Sequence, residues 1–205
     1  MRIKEISYYG ANGDRCTITF EDEAVLKSFA SAVISAGVYP GMEMTREEYL
    51  ALKKASAAAG AKARAAAIAA RAPLSRASLE KKLREKGEEP EHIKDAADWL
   101  EDIGALNDGE YAALIVRHYS AKGYGLRRIK EELRRRGIDR ELWDAALEEA
   151  PEGTGFPEAF IARRLSPGEK DRAAVKKVSD ALLRRGYSYE EIKSAIERYL
   201  DPSED

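Results

Sequence analysis

The chain has 205 residues, 35% of them charged and 8% aromatic, with a formal charge of −2 at pH 7. That length allows one ordinary domain or two small ones, and the composition suits an extended helical protein with a thin core. The near balance of 35 Lys/Arg against 37 Asp/Glu argues against simple charge-driven binding to bulk nucleic acid, and the lone cysteine, Cys16, excludes a disulfide framework. The cysteine count also fits a reducing cytosol. The opening Met1-Arg-Ile-Lys-Glu5 has no apolar core of the kind that starts an export signal. No run approaches about 18 uninterrupted apolar residues, so no membrane span is expected and the cytoplasm is the expected location.

In residues 1–44, Ile6 and Tyr8 alternate with polar neighbours, and Gly10-Ala-Asn-Gly13 offers a turn. Cys16, Ile18 and Phe20 then alternate with Arg15, Thr17 and Thr19. This period of two around a glycine turn predicts a β-hairpin. A helix is predicted over 23–36, because Val25, Phe29 and Val33 recur every four residues and Gly37 can end it. A two-stranded hairpin alone is marginal, so this module is expected to dock on a helix or to meet more strand. Packing and contact with a partner are both open as its role.

Thr45-Arg-Glu-Glu48 is a capping box, which predicts a helix start: the Thr hydroxyl serves the N3 amide and the Glu carboxylate serves the cap amide. An alanine-rich helix is predicted from there to about Arg71, with Gly60 as its internal weak point and Pro73 as its stop. Its expected role is to hold the hairpin away from the remainder. Helices follow near 75–86 and 90–102, the second opened by Pro90 at its first position. Asn107-Asp-Gly-Glu110 is the next cap, and the helix after Gly137 is predicted over 139–150. A loop is predicted at 151–155, then a helix from about Asp171 to Arg185 and a capping box at Ser188-Tyr-Glu-Glu191. The last four residues, Pro-Ser-Glu-Asp, are predicted to fray.

A repeat underlies these elements. The segments LEKKLREKG, EELRRRG and ALLRRG end at Gly87, Gly137 and Gly186, spaced 50 and 49 residues apart. Around the glycines the apolar positions coincide as Leu79/Ile129/Val178, Leu83/Leu133/Leu182 and Ile93/Leu142/Ile192. A fixed period of this length marks a helical repeat array, in which no repeat buries its apolar face alone. The expected fold class is mainly α: an elongated array of three-helix repeats with a small N-terminal β-hairpin and helix module. The expected boundaries are 1–44 for that module and 45–106 for the long helix and first repeat. The second and third repeats take 107–151 and 152–205.

Charge follows the repeats in blocks. Residues 53–87 carry ten basic and two acidic residues (+8), and residues 88–110 one Lys against nine acids (−8). Residues 111–137 carry eight Lys/Arg and two Glu (+6), and residues 138–160 one Arg against seven acids (−6). Stacked in register, such repeats would carry a basic ridge and an acidic one. The stretch 111–137 reads as two helices about the turn Lys122-Gly-Tyr-Gly125. Tyr111, Leu114 and Ile115 form the apolar side of the first, and Leu126, Ile129 and Leu133 the inward face of the second.

Arg127, Arg128, Lys130, Arg134, Arg135 and Arg136 point elsewhere and are the foremost candidate binding residues. Arg117 and Lys122 lie in the same block, and Lys81, Lys82 and Arg84 form the equivalent edge of the first repeat. A solvated face is the plainer reading, since long cationic side chains cover apolar neighbours with their heads in water. Glu131 and Glu132 also stand three and four residues from several arginines. Three consecutive arginines before the cap nevertheless exceed what the helix dipole asks for.

Catalytic and metal chemistry are not expected. Two histidines, His92 and His118, and one cysteine make no zinc constellation. His92, on an acidic helix start, is expected to be solvated, and His118 to be a surface residue. Gly123-Tyr-Gly125 lacks the phosphate-cradling G-x-x-x-x-G-K-[ST] run. No enzyme, cofactor or metal is expected.

Residues 74–200 resemble the RecX family, small regulators of the RecA recombinase. The resemblance is carried by GALNDGEYAALIVRHYSAKGYGLRRIKEELRRRGI at 104–138, LEKKLREKG at 79–87 and LLRRGYSYEEIKSAI at 182–196. It implies a non-enzymatic protein that binds the RecA filament and the single-stranded DNA within it, and restrains RecA's ATPase, strand-exchange and coprotease activities. No membrane contact is expected, and a monomer is. Two other readings of the residues stay open: a direct nucleic-acid-binding helical module, and a structural adaptor whose charge blocks pair between repeats.

Overall fold

The computed structural model describes residues 1–10, 12–150, 156–166 and 171–200; the loop expected at 151–155 and the tail at 202–205 lie outside them. The chain divides into two compact units, one of Met1–Pro73 with Leu79–Leu106, the other of Leu74–Ser78 with Asn107–Asp205.

The first unit opens with a three-stranded antiparallel sheet, β1 (Ile3–Tyr9), β2 (Arg15–Phe20) and β3 (Val25–Phe29), in the order β1-β2-β3. The third strand corrects the expected helix over 23–36. A tight turn, with Glu23 at φ 63°, returns the chain so that Thr19 faces Val25 and Arg15 faces Phe29. Spacing by four places Val25 and Phe29 on one face of a strand as well as of a helix, so the pattern did not separate the two. Only Ala30–Ser35 (α1) is helical, and Gly37 at φ 63° follows its end.

Ile3, Cys16, Ile18, Phe20, Leu26, Val33, Met44 and Leu52 form the core of this module. The long helix α2 (Arg46–Ala69) starts on the expected capping box, with both reciprocal hydrogen bonds formed. It is not a spacer: it packs against α1, β3 and α4. A Cβ at Gly60 would stand 3.0 Å from the Phe29 ring, so the helix's weak point is where that ring approaches closely. The first three-helix repeat supplies α3 (Arg76–Glu85) and α4 (Pro90–Asp102), with Pro90 at the helix start. The α2 and α4 helices bury alanines, Ala61 and Ala65 on one and Ala96 and Ala97 on the other. Such short side chains permit close axes. His92 is buried with them, its Nε2 without a hydrogen-bond partner among the described residues, which overturns its expected solvation. Its position explains this: 92, 93, 96, 97 and 100 form the inward stripe of α4.

In the second unit, α5 (Asp108–Ala121) starts at Asn107, whose side chain accepts from the Glu110 amide. It packs on α6 (Leu126–Arg135) and on α7 (Trp143–Glu148), which a 3-10 turn at Arg140–Leu142 precedes. The buried cluster is Ala112, Ile115, Val116, Ile129, Leu133, Ile138 and Ala146. Leu114 and Leu126, expected inside, are 42% and 45% exposed. The third repeat contains α8 (Phe156–Ala162), α9 (Arg172–Arg184) and α10 (Tyr189–Leu200) around Phe160, Ile161, Val178, Leu182, Tyr187 and Ile192. The Ser188 capping box is formed in full. Gly87, Gly137 and Gly186, which end the three repeat segments, all take a positive φ, 80°, 69° and 91°. No helix among the described residues is long and apolar enough to cross a membrane.

Candidate partner-binding surface

Helix α6 has two charged faces with different surroundings. Ile129 and Leu133 hold it on α5, and Glu132 lies between them on the inward side, 2% exposed. A buried carboxylate is costly unless paired, and this one is paired several times over. Arg135 reaches it at 2.7 and 3.1 Å, Arg128 at 3.4 Å, and Arg136 also bonds it. Burial by itself pushes the Glu132 carboxyl up, but the hydrogen bonds and charges of Arg135 and Arg136 together outweigh it and hold the group below its ordinary value of 4.5. Arg128 also pairs with Glu131 at 3.0 Å, and the Arg136 guanidinium lies over the Tyr119 ring, 5.6 Å from its centre.

The opposite face carries Arg127, Lys130 and Arg134. All three are exposed, and none has an ion-pair partner among the described residues. Their spacing of three and four residues puts them in one row. The other candidates divide similarly. Arg117 is tied to Glu149 at the end of α7. Lys122, at the C-cap of α5, is exposed and unpaired among the described residues. Lys81, Lys82 and Arg84 are exposed on α3, likewise without ion-pair partners among the described residues, and they belong to the first unit. The α6 cations, Arg117 and Lys122 are thus brought together in the second unit.

Both ends of α6 are held by backbone. Its Gly125 cap offers no side chain; instead the Gly125 amide donates to the Arg185 carbonyl at 2.9 Å and the Arg127 amide to the Gly186 carbonyl at 3.1 Å. A Cβ at Gly125 would fall 2.5 Å from the Gly186 oxygen, so glycine is required for this approach. At the other end the Arg136 carbonyl accepts from the hydroxyls of Ser75 and Ser78. Arg185, beside the junction, sits over the rings of Tyr124, Phe156 and Phe160 at 5.7, 5.1 and 5.3 Å. The cluster built on Glu132 was legible only in part. Its position three residues after Ile129, on the inward stripe, was the signal that could have found it.

Residues 107–147 match the family described as RecX, second three-helix domain. Among similar proteins, the regulatory protein RecX of Xanthomonas axonopodis pv. citri is 37% identical over 135 residues, which are 64% of this chain and 83% of that protein. The chain belongs to the RecX family. The regulatory protein RecX of Chromohalobacter salexigens is 33% identical over 131 residues, covering 63% of this chain and 86% of that protein. The crystal structure of RecX from Lactobacillus salivarius superposes with a TM-score of 0.61 at 26% identity, over 72% of this chain and 99% of that one. A further crystal structure of regulatory protein RecX gives a TM-score of 0.76 at 24% identity over 94% of this chain and 98% of that one, which supports the fold. RecX relatives carry the name of regulatory proteins, and the mainly helical fold of this chain superposes on RecX structures.

Proposed function

We propose that this protein binds the RecA–single-stranded DNA filament in the cytoplasm and restrains its ATPase, strand-exchange and coprotease activities by occupancy, not catalysis. The observation that carries the reading is the row Arg127, Lys130 and Arg134: exposed, unpaired among the described residues, and within the family-matched segment. Charged side chains without internal partners are free to make charge-assisted hydrogen bonds to phosphate or carboxylate, about twice as strong as neutral ones. Arg128, Arg135 and Arg136 serve a different purpose here. Bound to Glu132, they fix the helix that presents the row.

The test is ATP hydrolysis by RecA on single-stranded DNA. Wild-type protein should inhibit it, and a variant with Arg127, Lys130 and Arg134 changed to Gln, checked for folding by circular dichroism, should not. Inhibition retained by the variant would remove the row from the site. No inhibition by wild-type protein in excess over RecA would refute the reading.

A further inference from the structure

We infer that the binding surface continues from α6 onto α9, with Lys176, Lys177 and Arg184 as further contacts, and that a phosphodiester strand lies along it. This rests on the reading of α6 as the binding helix.

The junction between the two helices is the first ground. The carbonyls of Arg185 and Gly186, just past the end of α9, accept from the Gly125 and Arg127 amides at the start of α6, at 2.9 and 3.1 Å. The C-terminal, negative end of one helix dipole therefore meets the N-terminal, positive end of the next. Gly186 is as constrained as Gly125, since a Cβ on it would fall 2.5 Å from the Arg128 amide nitrogen. Arg184 lies two residues from Gly186, so at most about 7 Å of chain separates their Cα atoms. Arg184 at the end of α9 and Arg127 at the start of α6 therefore flank this backbone junction.

The second ground is what α9 carries. Arg172, Lys176, Lys177 and Arg184 are exposed and have no ion-pair partner among the described residues. Asp180, half-buried, is the one carboxylate within the helix. Arg185 is excluded from the surface because the three rings hold it.

The third ground concerns the ligand. A helix N-terminus is the usual backbone seat for a phosphate. At α6 the carbonyls of Arg185 and Gly186 already fill that seat. Anions must then be met by side chains, and these are strung along two joined helices. A nucleic-acid strand offers evenly repeated charge, about one per 3.4 Å of each strand in a duplex. That suits a cation track crossing a helix junction better than the scattered carboxylates of a protein surface.

The experiment is anisotropy of a fluorescent single-stranded oligothymidylate with the full chain, across a salt series. The proteins are wild type, Arg127/Lys130/Arg134→Gln, Lys176/Lys177/Arg184→Gln, and Arg46/Lys53→Gln as a control, each checked by thermal melting. Each triple variant should lower the slope of log K against log salt by about 2, from about 0.7 per lost contact. The control should keep the wild-type slope. An α9 variant with the wild-type slope would end the surface at α6. Failure of wild-type protein to bind the oligonucleotide would overturn the phosphodiester ligand. Retained RecA inhibition in that same case, lost in the α6 variant, would leave the proposed function standing.

Discussion

Lys54 and Lys62 on α2 each meet a partner on α4 and Arg64 meets Glu88 just before it, whereas Arg127, Lys130 and Arg134 on α6 meet no ion-pair partner among the described residues. In the first unit Lys54 pairs with Glu91 at 3.0 Å, Arg64 pairs with Glu88, and Lys62 lies over the Trp99 ring at 5.7 Å. Lys54 and Arg64 of the basic block over 53–87 are thus answered by carboxylates of the acidic block over 88–110, and Lys62 by a ring within it. In the second unit the only carboxylates of the basic block, Glu131 and Glu132, are taken up by Arg128, Arg135 and Arg136. The difference teaches that a run of charge in the sequence does not mark a binding surface. What marks it is the charge left over after the fold has paired what it can.

The largest expected effect breaks the comparison outright. Changing Arg127, Lys130 and Arg134 to Gln should weaken filament binding by at least about a hundredfold, since hydrogen bonds to charged groups contribute about 1.5–3 kcal/mol each. The melting temperature should hardly move, because none of the three supports the core. Filament co-sedimentation beside a thermal melt checks both halves, and a large loss of stability would contradict the separation of faces.

A smaller effect belongs to Glu132. Replacing it with Ala should destabilise the protein by about 1–3 kcal/mol. The buried charge leaves, and three guanidiniums lose their acceptor, yet Arg128 and Arg135 are exposed enough to turn to solvent. Urea unfolding measures this. The Glu132→Gln variant adds a pH signature. The wild-type carboxyl is held below its ordinary 4.5 in the folded state, so its stabilising contribution is present above that value. It is lost as pH falls through the folded pKa. The stability gap between wild type and Glu132→Gln should therefore be widest near neutrality and close as the solution is acidified below 4.5. A gap independent of pH would show that shape, not charge, holds the cluster.

Much of this arrangement was readable in the residues. The 50- and 49-residue register aligned Leu83, Leu133 and Leu182, and all three are fully buried. The capping boxes at Thr45 and Ser188 formed as expected, because cap chemistry is local and needs no tertiary partner. Val25–Phe29 was misread because its spacing serves two periods, and pairing with β2 decided between them. His92 and Glu132 were misjudged or undervalued for a common reason. A polar residue is placed on the surface by default, and only the helix wheel drawn against the final packing puts these two inside. The α9–α6 junction left no trace beyond two glycines, since bonds between backbone groups of distant segments have no side-chain signature.

The smallest expected effect lies in the α2–α4 seam. Lys54 and Glu91 are each 64% exposed, so the pair sits in water and is screened by salt. Lys54→Gln should cost no more than about 1 kcal/mol and leave filament binding unchanged. Arg64→Gln is the sharper member of the series, because its partner Glu88 is only 12% exposed while Arg64 itself is 45% exposed. Losing that pair leaves a largely buried carboxylate without its cation, so its cost should exceed that of Lys54→Gln in the same urea titration. The order Arg64 above Lys54, with RecA inhibition intact in both, is what a seam that spends its charges on folding requires. Inhibition lost in a folded Arg64→Gln protein would place α2 in the binding surface and erase the contrast between the two basic blocks.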